Sequence, residues 1–295
     1  MINASDNFRG AALMAASMAA YVLNDGVMKF TSDDLSLFQA IFLRGIFTTM
    51  AIGIFAWHKK VLFYALPKHD RSTMFWRLVG EIGGTLCYLT ALFNMPIANA
   101  AAILQALPLA VALAAALFMG EAIGWRRYLA IIVGFAGVLI VVRPGTDGFN
   151  QYSFWAIGAV LFIVLRDLTT RKLTAQVPSM FVAFLTSLSI MVTGAVLSPF
   201  AAWRPVTGES TAFLALAALF LVFGYVFSVM TMRIGEIGFV SPFRYTSLIW
   251  AILIGLIVFG DIPDLWTVIG SSIIVAMGIY TFHRERKLSR AARTQ

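Results

Sequence analysis

The chain has 295 residues, of which 60% are hydrophobic and 12% are charged, and its mean hydropathy is +0.86. Because soluble domains carry about 25% charged residues, this composition excludes a soluble globular protein. In a soluble chain the net charge of +8 would suggest nucleic-acid binding. Here the basic residues lie in short loops between apolar segments, where they indicate topology, so we expect contact with membrane lipid and no nucleic-acid partner.

Ten apolar segments follow one another along the chain, each about as long as the roughly 20 residues that a helix needs to cross a bilayer. The first lacks a strongly basic leader and carries Asn24, Asp25 and Lys29 at its end, so we expect an uncleaved span. The pattern predicts an all-α membrane protein with ten transmembrane helices. The segments cover residues 8–30, 35–57, 73–94, 98–119, 125–143, 153–173, 178–198, 211–234, 239–260 and 265–283.

The basic residues are unevenly distributed between the two sides of these segments. If the N-terminus lies inside the cell, 16 Lys and Arg residues fall on the inner side, three fall on the outer side and three lie within spans. Cytoplasmic loops of membrane proteins carry an excess of Lys and Arg. We therefore expect both termini to be cytoplasmic.

Matching residues recur in the two halves of the sequence at an offset of 140 to 142 positions. The pairs include Asp25 with Asp167, Gly120 with Gly260, Trp125 with Trp266, Gly137 with Gly278 and Arg143 with Arg284. We interpret residues 1–147 and 148–295 as homologous halves of five spans each. Because five is odd, the second half enters from the opposite side of the membrane. Such inverted repeats are typical of secondary transporters, whose substrate site lies near the midplane.

Three segments resemble the EamA family of the drug/metabolite transporter superfamily: AAAILQALPL in the fourth span, GFAGVLIVV in the fifth and SPFRYTSLIWAILIGLIVFGD in the ninth. The resemblance extends over nearly the whole chain, although Asp261 stands where family members commonly have Glu. It implies two inverted five-helix halves, a central cavity, helices five and ten packed at the periphery, and a place in the bacterial inner membrane. Similar members move amino acids, S-adenosylmethionine, riboflavin, nucleosides or drugs.

The spans carry no pattern typical of catalysis. The sequence has no GxxxxGK[ST] phosphate loop and no His or Cys cluster for a metal, since His58, His69 and His283 fall near the predicted inner surface. Cys87 is the single cysteine, so no intramolecular disulfide can form. We expect no enzyme activity, cofactor or metal; an intramembrane transferase or protease is the alternative class.

Two spans combine a proline with polar residues. Pro108 follows Gln105 in the fourth span, and Pro242 precedes Arg244 and Tyr245 in the ninth. A proline removes a helical hydrogen bond, and lipid can satisfy neither the freed carbonyl nor a guanidinium. We therefore expect both prolines to break their helices, and the three polar residues to face a substrate cavity.

Further aromatic rings complete the predicted substrate site. Tyr88, Phe162 and Tyr225 lie within spans and could supply flat apolar surface to a ligand. Alternatives exist for the polar members: Arg244 could extend to lipid headgroups or pair with Glu236, and the amide of Gln105 could join two helices.

Charged residues inside the spans are candidates for gates or for ion pairs. Asp25 and Asp167 occupy equivalent positions in the two halves and have Lys29 and Arg171, respectively, four residues later, the spacing of ion pairs on a helix. Matching pairs near opposite surfaces suggest gates, while simple helix-end pairs are the alternative. Arg44 lies deeper and needs a partner, for which Asp25 is the candidate.

Glu81 lies about eight residues into the third span. An acid inside the membrane could carry a coupling proton or bind a substrate amine. Alternatively, it pairs with Arg77 one turn away. Because Asp25 and Asp167 have possible partners four residues later, and Glu81 has Arg77 four residues earlier, we expect transport down the substrate gradient, without proton coupling.

The sequence thus predicts a transporter that works by alternating access and exports amino acids, first of all aromatic and large neutral ones. The alternative is a carrier of S-adenosylmethionine, riboflavin or drugs, including proton-coupled uptake. We expect a monomer, with a homodimer contact through helices five and ten as the alternative. Small residues such as Gly80 and Gly84 predict close helix contacts.

Overall fold

A computed structural model describes residues 4–120, 124–146, 149–174, 176–234 and 237–293. The described residues form helices and loops, without a strand. The helices are α1 (Ala4–Phe30), α2 (Leu37–His58), α3 (Lys68–Asn94), α4 (Ile97–Leu104), α5 (Leu107–Met119), α6 (Trp125–Val142), α7 (Ser153–Lys172), α8 (Ser179–Leu197), α9 (Gly208–Ile234), α10 (Ile237–Val240), α11 (Thr246–Ile254) and α12 (Leu265–Arg293). Ten spans result when α4 with α5, and α10 with α11, are each counted as one interrupted helix.

Nine of these spans are both long and apolar enough to cross a membrane by themselves, counted over the described residues. The helix outside that set is α3, which has 27 residues and is therefore about 40 Å long at 1.5 Å per residue. Its length suffices, but Arg77 and Glu81 reduce its hydropathy. Both side chains face the interior of the protein, so α3 can cross the membrane without exposing them to lipid.

The packing of the helices repeats when the two halves are exchanged. The first helix of each half packs against the third helix of the other, so α1 lies along α9 and α7 lies along α3. Second helices pack together as α2 and α8, the interrupted fourth spans cross through α4 and α11, and the fifth helices meet as α6 and α12. This pattern confirms the predicted fold of two inverted five-helix repeats.

Glycines allow the closest of these contacts. A Cβ atom at Gly80 of α3 would lie 2.7 Å from the backbone nitrogen of Arg166 on α7. At the crossing of α6 and α12, a Cβ atom on Gly137 would lie 2.8 Å from the carbonyl oxygen of Gly270. Backbones at this distance leave no room for a side chain, as in other close helix pairs in membranes.

The two interrupted spans differ in how their helices break. In the fourth, α4 ends at Leu104 and α5 begins at Leu107, with Pro108 in its first turn. In the ninth, the segment Ser241–Tyr245 forms a 3₁₀ turn containing Pro242, followed by α11. Both spans end at a glycine in the left-handed region, Gly120 and Gly260, which explains why glycine recurs there in both halves.

The ends of α6 and α12 are joined outside the spans by Asp264. Its carboxylate accepts a hydrogen bond from the backbone N–H of Thr267 at 2.7 Å and pairs with Arg143. Partial burial raises the pKa of Asp264. The hydrogen bonds from Thr267 and Arg143 outweigh this effect and hold the pKa below its usual value. The carboxylate therefore stabilises the first turn of α12 as a helix cap.

Candidate functional site

The two halves enclose a cavity of about 480 Å³. Its wall is formed by α1, α2 and α3 of the first half, by α7, α8 and α9 of the second half, and by Arg244 at the start of the ninth span. Within the described ranges, α6 and α12 contribute nothing to the wall and lie at the periphery. The volume is in the range of pockets that bind small molecules, roughly 300–1,000 Å³.

One group of charges, here called the inner cluster, comprises Arg77, Glu81, Arg166 and Asp167. Glu81 lies between two arginines, at 3.6 Å from Arg77 Nη2 and 3.5 Å from Arg166 Nη1. Arg166 also pairs with Asp167 at 2.9 Å, and Arg77 Nη1 donates a hydrogen bond to Thr186 Oγ1 at 2.6 Å. The cluster joins α3 to α7 and α8, and it keeps Glu81 neutralised from two sides.

A second group, the outer network, joins α1 to α2 and α3. Arg44 Nη1 donates to Asn24 Oδ1 at 3.1 Å, and Asn24 Nδ2 donates to Asp25 Oδ1 at 2.9 Å. The hydroxyl of Tyr88 donates to the other oxygen of Asp25 at 2.7 Å. The predicted direct pair of Asp25 with Arg44 is therefore replaced by an arrangement in which Asn24 lies between them.

Arg244 lines the cavity and is exposed. Within the part of the chain that the structure describes, its guanidinium has no hydrogen bond or ion pair, whereas the other three lining arginines all have partners. Glu236, the partner considered from the sequence, lies outside the described residues. Tyr21 and Tyr225 line the same cavity, so the unpaired guanidinium of Arg244 shares the cavity with two aromatic rings.

The structure brings together most, but not all, of the residues that the sequence suggested. Those lining the cavity are Asp25, Arg44, Glu81, Tyr88, Tyr225 and Arg244. Those outside its wall are Gln105, Phe162, Asp167 and Tyr245.

Gln105 and Tyr245 join the two interrupted spans instead of facing the cavity. Gln105 is buried, and its Nε2 donates to the backbone oxygen of Tyr245 at 3.3 Å and to Ser247 Oγ at 2.8 Å. The ring of Tyr245 is directed at Gly278 of α12, where an added Cβ would meet its hydroxyl. This geometry matches the alternative given for Gln105 from the sequence, in which its amide joins two helices.

Phe162 is 36% exposed and its ring packs over Gly83 of α3. A similar contact is made in the other half by Tyr21 of α1 against Gly224 of α9. Tyr21 reaches the cavity and Phe162 does not. The first helix of each half therefore presents an aromatic ring in the same way, but only one of the two rings meets the cavity.

Lys29 does not form the predicted pair with Asp25. Its Nζ donates to the backbone oxygens of Leu92 and Met95 at 3.1 and 2.5 Å, and it lies 5.5 Å from the ring centre of Phe259. These carbonyls belong to the end of α3, where they have no helical partner and a cation is favourable. The lysine therefore caps α3.

Among the charged and aromatic residues of the cavity wall, sequence reasoning missed two. Arg166 was recognised only as a charge within a span, and Tyr21 was one of many aromatic residues; both prove to line the cavity. A signal existed for Arg166, because an arginine inside the membrane must find a partner and Asp167 follows it directly. For Tyr21 the signal was the similar place of an aromatic residue, Phe162, in the first helix of the other half.

The two ends of the cavity differ in accessibility. At the end near the loop before α9, Gln39 exchanges two hydrogen bonds with the backbone of Arg204, at 2.7 and 3.1 Å, which ties α2 to that loop. The nearby Arg44 is 7% exposed, while the side chain of Arg166 at the other end is 27% exposed and Arg244 is exposed. The cavity is therefore more open toward the side on which the described chain begins and ends.

The sequence model of the EamA-like transporter family matches the chain twice, at residues 8–143 and 151–282. A solved crystal structure with 19% sequence identity covers 97% of this chain and 99% of its own, with a TM-score of 0.63. That similarity shows a shared fold.

Similar curated proteins carry different solutes. An S-adenosylmethionine uptake transporter of Rickettsia prowazekii (strain Madrid E) is 24% identical and covers 92% of this chain and 91% of its own. A riboflavin transporter of Vibrio cholerae is 27% identical, covering 84% and 78%. The pseudopaline exporter CntI of Pseudomonas aeruginosa is 25% identical, covering 88% and 90%.

Proposed function

Because the chain belongs to the EamA-like transporter family, and is thus a multi-pass membrane transporter, we propose that it carries a small solute bearing a carboxylate. The observation that carries this proposal is Arg244. A guanidinium inside a membrane protein is costly unless it finds an anion, and Arg244 has none among the described residues. The planar guanidinium of Arg244 can donate two parallel hydrogen bonds to a carboxylate.

Charge balance in the wall supports the same substrate chemistry. Four arginines and two acids line the cavity. Three of those arginines are engaged with Glu81, Asp167 or Asn24, so the uncompensated charge is positive and belongs to Arg244. A solute without a carboxylate would leave the guanidinium of Arg244 uncompensated, whereas a carboxylate would complete the balance.

We favour α-amino acids, with aromatic and large neutral ones first, moved out of the cell by alternating access. The rings of Tyr21, Tyr88 and Tyr225 line the cavity and offer flat apolar surface, while Arg244 fixes the polar end of the solute. A few placed polar groups in a mainly apolar pocket are sufficient to orient a small ligand. For the direction of transport we keep the sequence-based expectation, which is export.

S-adenosylmethionine is the second candidate. Two observations favour it: a relative of that name covers most of the chain, and the molecule has the same α-amino acid head group, which Arg244 could bind in the same way. Its sulfonium adds a second cation to the α-amino group, and of the two acids that line the cavity Glu81 is already paired with two arginines, which leaves Asp25 alone for both cations. Amino acids therefore fit the described charges better.

The test uses bacteria that overproduce the protein and grow on toxic aromatic amino-acid analogues. Export predicts resistance, and Arg244→Lys should reduce the protective transport rate about 10- to 100-fold, since it removes one charge-assisted hydrogen bond of roughly 1.5–3 kcal/mol. Arg9→Lys, an exposed arginine outside the cavity, is the matched control and should leave resistance intact.

Other outcomes would change the assignment in defined ways. Undiminished resistance with a well-expressed Arg244→Ala protein would show that Arg244 does not hold the substrate. If resistance never develops and vesicles instead accumulate labelled S-adenosylmethionine, the amino-acid substrate is wrong. Transport of that second solute would still agree with the family.

A further inference from the structure

The two acids in the cavity wall have opposite surroundings. Glu81 is held between Arg77 and Arg166, each within 3.6 Å. Asp25 has no ion pair in the described chain and receives hydrogen bonds only from the neutral groups of Asn24 and Tyr88. The charge of Glu81 is thus compensated by two cations, whereas Asp25 meets only neutral donors among the described residues and can accept a proton or a substrate cation.

The internal repeat shows that this difference is specific to the first half. Asp167 is the equivalent of Asp25, and the residue before it, Arg166, pairs with it at 2.9 Å. At the same place before Asp25 the sequence has Asn24, which supplies a hydrogen bond without charge. One half therefore neutralises its acid locally, and the other leaves the acid available at the cavity wall.

Arg44 on α2 is the cation that acts on Asp25, through Asn24. From α3, Tyr88 faces it directly. On α1 itself, Tyr21 lies one turn earlier, and Lys29 one turn later is engaged with the end of α3. The remaining charged or titratable groups along this wall belong to the inner cluster or are Tyr225 of α9 and Arg244 of the ninth span.

We propose that Asp25 is the proton-binding site of the transport cycle and that its ionised form binds the ammonium group of the substrate. This proposal rests on the proposed function, because it needs a substrate with an amine as well as a carboxylate. The ammonium group then competes with the proton for Asp25, and the carboxylate meets Arg244 elsewhere along the same wall as the solute moves through the cavity. The earlier expectation of uncoupled transport rested on Glu81 and on a pair of Asp25 with Lys29 that does not form.

Competition between a proton and the substrate amine for Asp25 couples the import of protons to the export of substrate. On the outer side the empty carboxylate binds one proton and becomes a neutral carboxylic acid. On the inner side that proton leaves to the cytoplasm, and the ammonium group of the substrate takes its place. Each cycle therefore exports one zwitterion and imports one proton, and one positive charge moves inward with it.

The experiment uses purified full-length protein in proteoliposomes, with labelled phenylalanine as the probe. Counterflow, in which unlabelled phenylalanine inside draws in the label without any pH gradient, measures substrate transport alone. Accumulation driven by an imposed pH gradient, with no phenylalanine inside, measures coupling. In wild-type protein we expect both, together with movement of protons reported by a trapped pH dye.

Variants separate proton binding from substrate movement. Asp25→Asn should retain counterflow with a higher KM, but should lose gradient-driven accumulation by at least tenfold. Asp167→Asn, the equivalent change in the other half, should still respond to the gradient. If Asp25→Asn does not fold, the Tyr88→Phe variant tests the proposal instead. It removes the hydrogen bond from Tyr88 to the ionised carboxylate of Asp25, so the pH midpoint of exchange should move to higher pH.

The outcomes distinguish this proposal from the function it rests on. Counterflow of phenylalanine that ignores the pH gradient, or an unchanged pH midpoint in folded Tyr88→Phe protein, overturns proton coupling through Asp25 and leaves the substrate assignment standing. Absence of counterflow with both labelled phenylalanine and labelled S-adenosylmethionine overturns the proposed substrate class, and the coupling proposal with it.

Discussion

The contact between α3 and α7 depends on Gly80, and replacing it tests how tightly the two halves pack. In Gly80→Ala, the new Cβ atom would lie 2.7 Å from the backbone nitrogen of Arg166 and 2.8 Å from the backbone oxygen of Phe162. Both obstacles are backbone atoms, which cannot rotate away as a side chain can. The helices must therefore separate, and α3 and α7 carry all four residues of the inner cluster.

Two effects of opposite sign determine the size of the change. Overpacking a well-packed contact costs typically 1–3 kcal/mol, while Ala in place of Gly stabilises a helix by about 0.8–1.0 kcal/mol. With rigid backbone on the other side we take the upper end of the cost, which leaves a net destabilisation of about 2 kcal/mol. This corresponds to a Tm lower by roughly 4–8 °C.

The assay is thermal unfolding in detergent, followed by the loss of monodisperse protein in size exclusion. Gly158→Ala is the matched control, since Gly158 is in the same contact but its new Cβ would lie at an ordinary 3.6 Å from Cys87 Sγ. That variant should keep or slightly raise the Tm. An unchanged or higher Tm for Gly80→Ala would refute the close approach of α3 and α7.

Three further predictions concern topology and the contacts outside the cavity. A reporter that is active only in the periplasm should give no signal when fused after residue 293, because both termini are predicted to be cytoplasmic; a strong signal would contradict this topology. Gln105→Ala should lower stability by about 1 kcal/mol through loss of the bonds to Ser247 and Tyr245 yet retain transport, as shown by the Tm and counterflow together. Asp70→Ala should cost about 2–3 kcal/mol, since buried Asp70 accepts two hydrogen bonds from Thr174; a Tm equal to that of wild type would rule this contact out.

The architecture could be predicted from the sequence because bilayer physics leaves few choices. Apolar length gave the spans, and the odd number of spans per half required inversion. The third span was recognised despite its charges, although its composition alone does not identify it as a membrane helix. It was counted as a span from its apolar stretch at residues 73–94.

The site was harder to predict, because the sequence gives the depth of a residue and not the direction in which it points. Gln105 and Tyr245 lie beside helix breaks, but Gln105 bonds to the backbone of the other half at Tyr245, and the Tyr245 ring packs against Gly278 of α12. Lys29 has the spacing of a partner for Asp25 and instead caps another helix. Spacing along one helix predicts local pairs, whereas partners from other helices depend on packing that the sequence pattern does not encode.

Comparing the two halves of the repeat residue by residue would have revealed more of the site. Comparing Asn24 with Arg166, at equivalent places before the two acids, would have singled out Asp25 as the acid without a neighbouring cation. Comparing Tyr21 with Phe162 would have brought Tyr21 into the candidate set. Differences between equivalent positions mark where the two halves have different tasks, and they can be read without a structure.

The central claim is that solute passes through the cavity between the halves, and a bulky side chain placed in its wall tests this most directly. Ser228 of α9 is half-buried and lines the cavity, while Val226 on the same helix is 38% exposed and does not. Counterflow of labelled phenylalanine in proteoliposomes should be abolished by Ser228→Trp and retained by Val226→Trp. Normal counterflow through a folded Ser228→Trp protein, with a Tm like that of wild type, would contradict the account.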